Sequence, residues 1–336
     1  MSRVVQTDQS TIPGSADLAE SNVVDTNVVD SAAWKTIGRS PFTFNHQLAH
    51  HPLFDISQLA HLARSVVRRG DPNKFGVRFE SSGRRDDPDI ERLASQGQLG
   101  ELVERIERGG VWLKMSSLHE LDPAYEQLRT NYVAELEDLT KLRLRDEISW
   151  SGLSVFVASP NMVTPYHFDH DVNFLFQIQG EKDVFLFDQE DRFVLTEQEI
   201  ERFYRGRAFA GVLREETRHS GRKYRLVPGI AVHQPPLAPH LICNADNVSV
   251  SVSIWFALRS LDRRAKIYQA NACLRQLGWR PAPPGVSGLS DSLKVAALSA
   301  VSKTKPATQR ELLYSGIDRI MAPARLAKRM LGTARA

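Results

Sequence analysis

The stretch "NVSVSVSIWF", residues 247–256, alternates between apolar and other side chains with a regular two-residue period. One set of alternate positions holds Val248, Val250, Val252, Ile254 and Phe256, and the other holds Ser249, Ser251, Ser253 and Trp255. Successive side chains of a β-strand point to opposite faces of its sheet. The stretch therefore predicts a strand with one face packed on apolar neighbours, while the other face lines something polar or water-filled.

Other strand-like segments lie between residues 150 and 257, separated by turns rich in Gly, Pro, Asn and Asp. They are "GLSVFVAS" (152–159), "NFLFQIQ" (173–179) and "DVFLF" (183–187). Helical periodicity dominates on both sides of this block. The order helices, strands, helices predicts a mostly β fold, an all-β barrel or double-sheet jelly roll wrapped by N- and C-terminal helices.

The pattern along the chain predicts four regions. They are a disordered arm (1–33), a mainly helical N-terminal region (34–149), the barrel (150–257) and a C-terminal helical region (258–336). The arm is rich in Ser, Thr, Asp and Asn, which is typical of segments that bury little apolar surface. The clearest helix follows Asp122, a suitable N-cap, and Pro123, which suits the first helical position.

Composition excludes several classes of protein. The chain is 42% hydrophobic and 25% charged, as expected for a soluble globular protein, and its net charge of +3 is too small to predict nucleic-acid binding. The sequence contains no signal-peptide pattern at its start and no apolar run of about 18 residues. Two cysteines, Cys243 and Cys273, cannot form a disulfide framework, which favours a cytoplasmic location.

His167 and Asp169 stand two residues apart just before a predicted strand, in "TPYHFDHDVNFLFQIQGEK". In an extended segment, this spacing aims an imidazole and a carboxylate at one point. An isolated pair of this kind is usually a surface feature, so a metal site needs a third ligand. His240, just before the serine-faced strand, completes a set of two histidines and one carboxylate. That set suits non-haem Fe(II), because it leaves coordination positions open for other ligands.

Residues 150–257 resemble the JmjC-type, cupin-like oxygenases that depend on Fe(II) and 2-oxoglutarate. The closest pattern is the branch that contains the asparaginyl hydroxylase of hypoxia-inducible factor. The matching positions are Asn161, Thr164-Pro165, His167, Asp169, Asn173, Gln177, Gly180, Lys182, Pro228-Gly229, Pro235-Pro236 and His240. The interval of fifteen residues from His167 to Lys182 also agrees with that branch.

The resemblance implies a double-stranded β-helix in which His167, Asp169 and His240 bind Fe(II). It further implies that Thr164 and Lys182 hold the far carboxylate of 2-oxoglutarate, with Asn173 as a further contact. By the same resemblance, the chain uses O₂ and 2-oxoglutarate to hydroxylate an unactivated C–H bond, releasing succinate and CO₂.

The sequence departs from the family pattern at two positions that bear on the site. Ser253 stands where the branch tends to have an amide residue, so it is a weaker candidate for a cosubstrate contact. His233, like His240, lies in the segment that leads to the serine-faced strand, but it falls where the family has an apolar residue. The resemblance therefore favours His240 as the ligand.

Two hypotheses follow for the function. The first is an oxygenase whose substrate is a protein side chain, a small metabolite or a sugar acid. The alternative is a non-enzymatic, metal-binding scaffold or binding protein, for which a carboxylate clamp such as Lys182 would have no use. We also expect a homodimer formed through the C-terminal helices, which carry many apolar residues. These are Leu312, Leu313, Ile317, Ile320, Met321, Leu326, Met330 and Leu331.

Overall fold

The computed structural model describes residues 23–25, 31–69, 75–79, 93, 96, 98–108 and 110–333. Most of the predicted disordered arm, residues 1–33, lies outside the described residues. Where the arm is described, Val23 and Val24 are buried. Their backbone N–H groups donate to the carboxylate of Glu135 at 2.7 and 2.9 Å. These two residues are thus part of the folded chain.

Two antiparallel sheets form the centre of the molecule. The strands are β1 (Phe42–Asn45), β2 (Phe75–Phe79), β3 (Val111–Ser116), β4 (Ile148–Ala158), β5 (Val163–His167), β6 (Val172–Gln179), β7 (Lys182–Leu186), β8 (Arg222–Leu226), β9 (Ile230–Gln234), β10 (His240–Asn244) and β11 (Ser249–Leu258). In the described residues, the large sheet has the order β1-β9-β6-β11-β4-β3-β2, and the small sheet has the order β5-β10-β7-β8. The predicted fold of sheets flanked by helices is confirmed.

Strand β11 has the two faces that its alternation predicts. Val250, Val252 and Ile254 are fully buried in the main apolar core. On the other face, Ser251 Oγ donates to Gln177 Oε1 and Ser253 Oγ donates to Asn173 Oδ1, both at 2.6 Å. The polar face of β11 therefore packs against amide side chains of the neighbouring strand β6.

Helices flank the sheets. They are α1 (Ser31–Trp34), α2 (Ile56–Arg69), α3 (Leu99–Glu104), α4 (Pro123–Thr140), α5 (Leu144–Glu147), α6 (Glu197–Phe203), α7 (Arg259–Gln276), α8 (Gly288–Val301) and α9 (Gln309–Thr333). Helix α4 begins as predicted, because the Asp122 side chain accepts a hydrogen bond from the N–H of Ala124 at 2.9 Å. Tyr132 of α4 packs edge-on against Phe174 and Phe176 of β6. No helix in the described part of the chain is long and apolar enough to cross a membrane.

The large sheet extends beyond the predicted barrel, residues 150–257. Strands β1, β2 and β3 all come from the region before residue 150, and β3 pairs with β4 along its length. The sheet therefore includes strands from the region predicted to be mainly helical. Such pairing joins segments far apart in the sequence, and the local pattern of a short strand does not reveal its partner.

The C-terminal helices pack on the chain itself. Leu313 and Ile317 of α9 are buried, and Gln269 of α7 donates through Nε2 to Leu313 O at 2.7 Å. This contact uses part of the apolar surface on which the predicted dimer depends. The side chains of Leu326, Met330 and Leu331 lie outside the described residues, and the dimer remains a prediction.

Candidate metal centre

His167, Asp169 and His240 lie together at one end of the small sheet. His167 ends β5, His240 begins β10, and the antiparallel register makes them direct cross-strand partners. The Nε2 atoms of His167 and His240 lie 4.0 and 3.8 Å from Asp169 Oδ2. One ligand atom from each residue lies within 4.8 Å of the others, so the three could hold a metal ion.

Backbone carbonyls fix the orientation of both imidazoles. His167 Nδ1 lies 2.7 Å from Pro165 O, and His240 Nδ1 lies 3.0 Å from Ala238 O. A carbonyl oxygen can only accept, so each Nδ1 carries the proton and donates it. Each Nε2 is then left with a free lone pair, which is the arrangement found in protein metal sites.

The charge states of His240 and Asp169 also suit a cation. Burial lowers the pKa of His240 to about 4, so its imidazole is neutral at neutral pH, as a ligand must be. Burial acts to raise the pKa of Asp169, but neighbouring groups that are positive when protonated, His167 and His240 first and Lys114 after them, outweigh it and hold that pKa below its usual value. Asp169 is therefore a carboxylate at neutral pH.

His233, the other histidine in this part of the sequence, belongs to the core. Both of its ring nitrogens are used, because Nε2 accepts from the N–H of Gly38 at 2.9 Å and Nδ1 lies 3.1 Å from Asn173 O. Its ring stacks on Phe174 with a centroid distance of 4.7 Å. His233 therefore has no free lone pair for a metal.

A cavity of about 230 Å³ adjoins the triad. It is lined by Trp112, Lys114, Phe156, Thr164, His167, Phe168, Asp169, Asn173, Leu175, Lys182, Phe203, Ala208, Phe209, Gln234, His240, Ile242 and Asn244. Three predicted cosubstrate residues, Thr164, Asn173 and Lys182, line this cavity. The fourth, Ser253, is not among the lining residues, and it reaches the cavity through its hydrogen bond to Asn173.

Lys182 lies on the same face of the small sheet as His240. In the β10–β7 register, His240 pairs with Leu186 and Asn244 pairs with Lys182, so the strand alternation brings these residues to one face. The turn before Lys182 needs Gly180, which has φ of +69° and whose added Cβ would lie 2.1 Å from Val248 O. Gln177 Nε2 donates to Gly180 O at 3.0 Å and helps to hold this turn.

The Lys182 ammonium is buried without an acidic partner. Its residue is 4% exposed, and burial lowers its pKa to about 7. No hydrogen bond or ion pair joins Lys182 Nζ to an acceptor within the described part of the chain. A buried cation of this kind is costly unless an anion joins it. The cavity thus contains the charge that a bound carboxylate would need.

Two further polar atoms in the cavity have no partner. Gln234 Oε1 accepts from Asn173 Nδ2 at 2.5 Å, whereas Gln234 Nε2 is buried and unpaired among the described residues. Asn244 Oδ1 is likewise buried without a partner there. A buried unsatisfied polar group costs about 1–3 kcal/mol, so these atoms fit a site that a polar ligand completes.

Sequence reasoning missed Gln234, Asn244 and Lys114 as lining residues. The two-residue alternation of a strand could have indicated Gln234. In β9 it shares a face with Val232, whereas His233 points to the other face. It could also have placed Lys114 on the less buried face of β3. No local pattern shows that β3 borders the cavity, because that depends on its long-range pairing with β4.

Comparison with known proteins agrees with this fold. Residues 96–262 match the family model described as a cupin-like domain. The chain carries a cupin-like domain. This result supports the predicted cupin and JmjC-type family, but it does not support the narrower assignment to the asparaginyl hydroxylase branch. No curated protein matches the sequence.

Several solved structures are similar to parts of this chain. The X-ray structure of YcfD from Escherichia coli has 13% identity and a TM-score of 0.41, with 84% of this chain and 65% of YcfD covered. YcfD is described as a ribosomal oxygenase, and its complex with cobalt and succinic acid gives 13% identity, a TM-score of 0.41 and coverage of 88% and 67%. A cupin superfamily protein from Desulfitobacterium hafniense has 13% identity and a TM-score of 0.22, with 32% of this chain and 69% of that protein covered. The chain spans less than two thirds of the first YcfD structure.

Proposed function

We propose that this protein is an Fe(II)- and 2-oxoglutarate-dependent oxygenase that hydroxylates a C–H bond of its substrate. The observation that carries this proposal is the common cavity of the His167–Asp169–His240 triad and the buried Lys182. A site that only bound metal would need the triad alone. The Lys182 ammonium adds a second positive charge beside that of the metal ion. Two separate positive charges in one cavity favour a ligand with two acidic ends.

The residues present fit both groups. His167, Asp169 and His240 would hold Fe(II), since two imidazoles and a carboxylate without thiolate are a usual donor set for this ion. Lys182 would pair with the far carboxylate of 2-oxoglutarate, and Thr164 would donate its hydroxyl to the same group. Together with O₂, the bound iron and 2-oxoglutarate would supply oxidative decarboxylation to succinate and CO₂, coupled to hydroxylation.

The chain itself would contribute in two ways: it orients the ligand side chains and it limits the access of water. The Pro165 and Ala238 carbonyls hold the two imidazoles with Nε2 turned away from the backbone. The N–H of Leu237 donates to Asp169 O at 2.7 Å and fixes the backbone that carries the carboxylate. Aromatic and aliphatic side chains line the cavity and would limit the access of water, which would strengthen the electrostatic contacts inside. These side chains include Trp112, Phe156, Leu175, Phe209 and Ile242.

The test is a titration of the iron-loaded protein with 2-oxoglutarate. Without O₂, the titration measures binding of 2-oxoglutarate, and with O₂ it measures the formation of succinate. Lys182→Met keeps the length of the side chain but removes its charge. A hydrogen bond to a charged group is worth about 1.5–3 kcal/mol, so we expect affinity for 2-oxoglutarate to fall about ten- to a hundredfold. Iron affinity should hardly change.

Lys223→Met is the matched control, because Lys223 is exposed and pairs with Asp183 at 3.2 Å, outside the cavity. It should leave the titration unchanged. Equal curves for wild type and Lys182→Met would mean that another cation holds the cosubstrate. Iron binding by the wild type without any binding of 2-oxoglutarate would instead favour the metal-binding scaffold.

A further inference from the structure

A second lysine, Lys114, lines the cavity from the opposite sheet. It lies on β3, where Val111, Leu113 and Met115 are buried and the alternate residues, including Lys114, are less buried. Its Nζ lies 5.4 Å from the centroid of the Phe156 ring, its cross-strand partner on β4. This cation–π contact holds the ammonium at the wall of the cavity.

Lys114 also lines a wider groove of about 850 Å³, whose lining includes residues of α9. The groove contains other charges, but they are compensated close by. Lys303 pairs with Glu311, and Arg310 Nη2 lies 3.6 Å from Asp318 Oδ2. Lys114 forms no such pair within the described residues.

Glu120 is the remaining acidic residue of the groove. Its side chain is 49% exposed and lies 3.9 Å from His119 Nε2. Water therefore screens its charge, and it does not compensate Lys114 at contact distance. Asp169 and Asp171 also act electrostatically on Lys114, but neither forms an ion pair with it in the described part of the chain, so no anion lies at contact distance of Lys114.

The charges that line the cavity of the proposed complex include no contact partner for Lys114. Among the described lining residues, Asp169 is the one carboxylate of the cavity, and a divalent metal ion would take up its charge. The formal charges of the divalent metal ion, the Asp169 carboxylate, the Lys182 ammonium and the 2-oxoglutarate dianion then sum to zero. Asp171, which also acts on the charge of Lys114, does not line the cavity and accepts a hydrogen bond from Gln309 Nε2. Lys114 therefore has a charge without a contact partner at the wall that the cavity and the groove share.

We infer that the primary substrate carries an anionic group, of the carboxylate type, which Lys114 binds at the wall that the groove and the cavity share. This inference rests on the proposed function, because the charge balance assumes bound metal and 2-oxoglutarate. It narrows the substrates to acids, or to chains with an acidic group near the carbon that reacts. Neutral and cationic substrates are disfavoured.

Benzoate and benzamide are suitable probes, because they have similar shapes and differ in charge, and aromatic residues line the cavity. Binding is measured by saturation-transfer NMR on protein loaded with Zn²⁺ and saturated with 2-oxoglutarate. We expect benzoate to bind at least about tenfold more tightly than benzamide, as for a charge-assisted hydrogen bond. Lys114→Met should remove this preference, Lys114→Arg should retain it, and Lys223→Met should leave it unchanged.

Equal binding of the two probes to the wild type would overturn the inference, as would a preference that survives in Lys114→Met. Competition between benzoate and 2-oxoglutarate would also overturn it, because the probe would then occupy the cosubstrate site. The same samples report 2-oxoglutarate binding separately. If the wild type fails to bind 2-oxoglutarate but prefers benzoate through Lys114, then the proposed function fails and the anion site remains.

Discussion

The two sheets contribute different kinds of groups to the same cavity. The small sheet supplies His167, His240 and Lys182, whose side chains have a free lone pair or an unpaired charge. The large sheet supplies Asn173 and Gln234, which are hydrogen-bonded to each other, together with aromatic walls. If the proposed function holds, the small sheet and the loop that carries Asp169 would bind metal and cosubstrate, whereas the large sheet would position them and face the substrate.

The largest effect is expected from the metal ligands. Asp169→Ala removes one of three protein ligands, and we expect affinity for Fe(II) to fall by more than about a hundredfold, since loss of an outer-shell partner alone costs about 10–100-fold. Anaerobic titration with Fe(II) measures it. His233→Ala on the large sheet is the control and should bind iron like the wild type. Loss of iron in His233→Ala with retention in His240→Ala would reverse the assignment of the third ligand.

The pH dependence of 2-oxoglutarate binding tests the charge that the small sheet supplies. Burial lowers the pKa of Lys182 to about 7, and a bound carboxylate would raise it again. Binding therefore requires a proton that the free protein loses above about pH 7. We expect affinity to be constant below that pH and to fall by up to about tenfold per unit above it.

This measurement is made at saturating metal between about pH 6 and 8.5, with Lys182→Met as the control. The substitution should remove the decline above pH 7, because no titrating amine remains. A decline that persists in Lys182→Met would assign the pH dependence to another group.

A smaller effect is expected from the large sheet at Gln234. Gln234→Leu removes the unpaired Nε2 donor and leaves Asn173 Nδ2 without its acceptor. A neutral hydrogen bond contributes about 0.5–1.5 kcal/mol, so affinity for 2-oxoglutarate should fall about two- to tenfold. Calorimetric titration at saturating metal measures this change. An unchanged affinity would mean that Nε2 faces the substrate instead of the cosubstrate.

The smallest effect is expected for Ser253→Ala, which acts on the cavity only through Asn173. We expect 2-oxoglutarate to bind about two- to threefold more weakly, as for a modest neutral hydrogen bond. Ser220→Ala, at an exposed residue bonded to Thr217 O, is the control. A loss as large as that of Lys182→Met would mean that Ser253 touches the ligand directly, and the distinction between the sheets would fail.

The sequence predicted the small-sheet half of the site better than the large-sheet half. His167, Asp169 and Lys182 lie within one stretch of the chain, where strand alternation and the Gly180 turn are local properties. Gln234 and Lys114 reach the cavity through pairings between segments far apart in the sequence. The same cause explains why strands β1–β3 were not expected in the sheet, although helix α4 was predicted from its Asp122 cap.

The central proposal is most directly tested by a crystal structure of the protein with Mn²⁺ and 2-oxoglutarate, with the metal located by anomalous scattering. We predict one metal peak between His167 Nε2, Asp169 and His240 Nε2, with the far carboxylate of 2-oxoglutarate on Lys182. A metal peak elsewhere, or a far carboxylate that binds Lys114 and leaves Lys182 unpaired, would contradict the proposal.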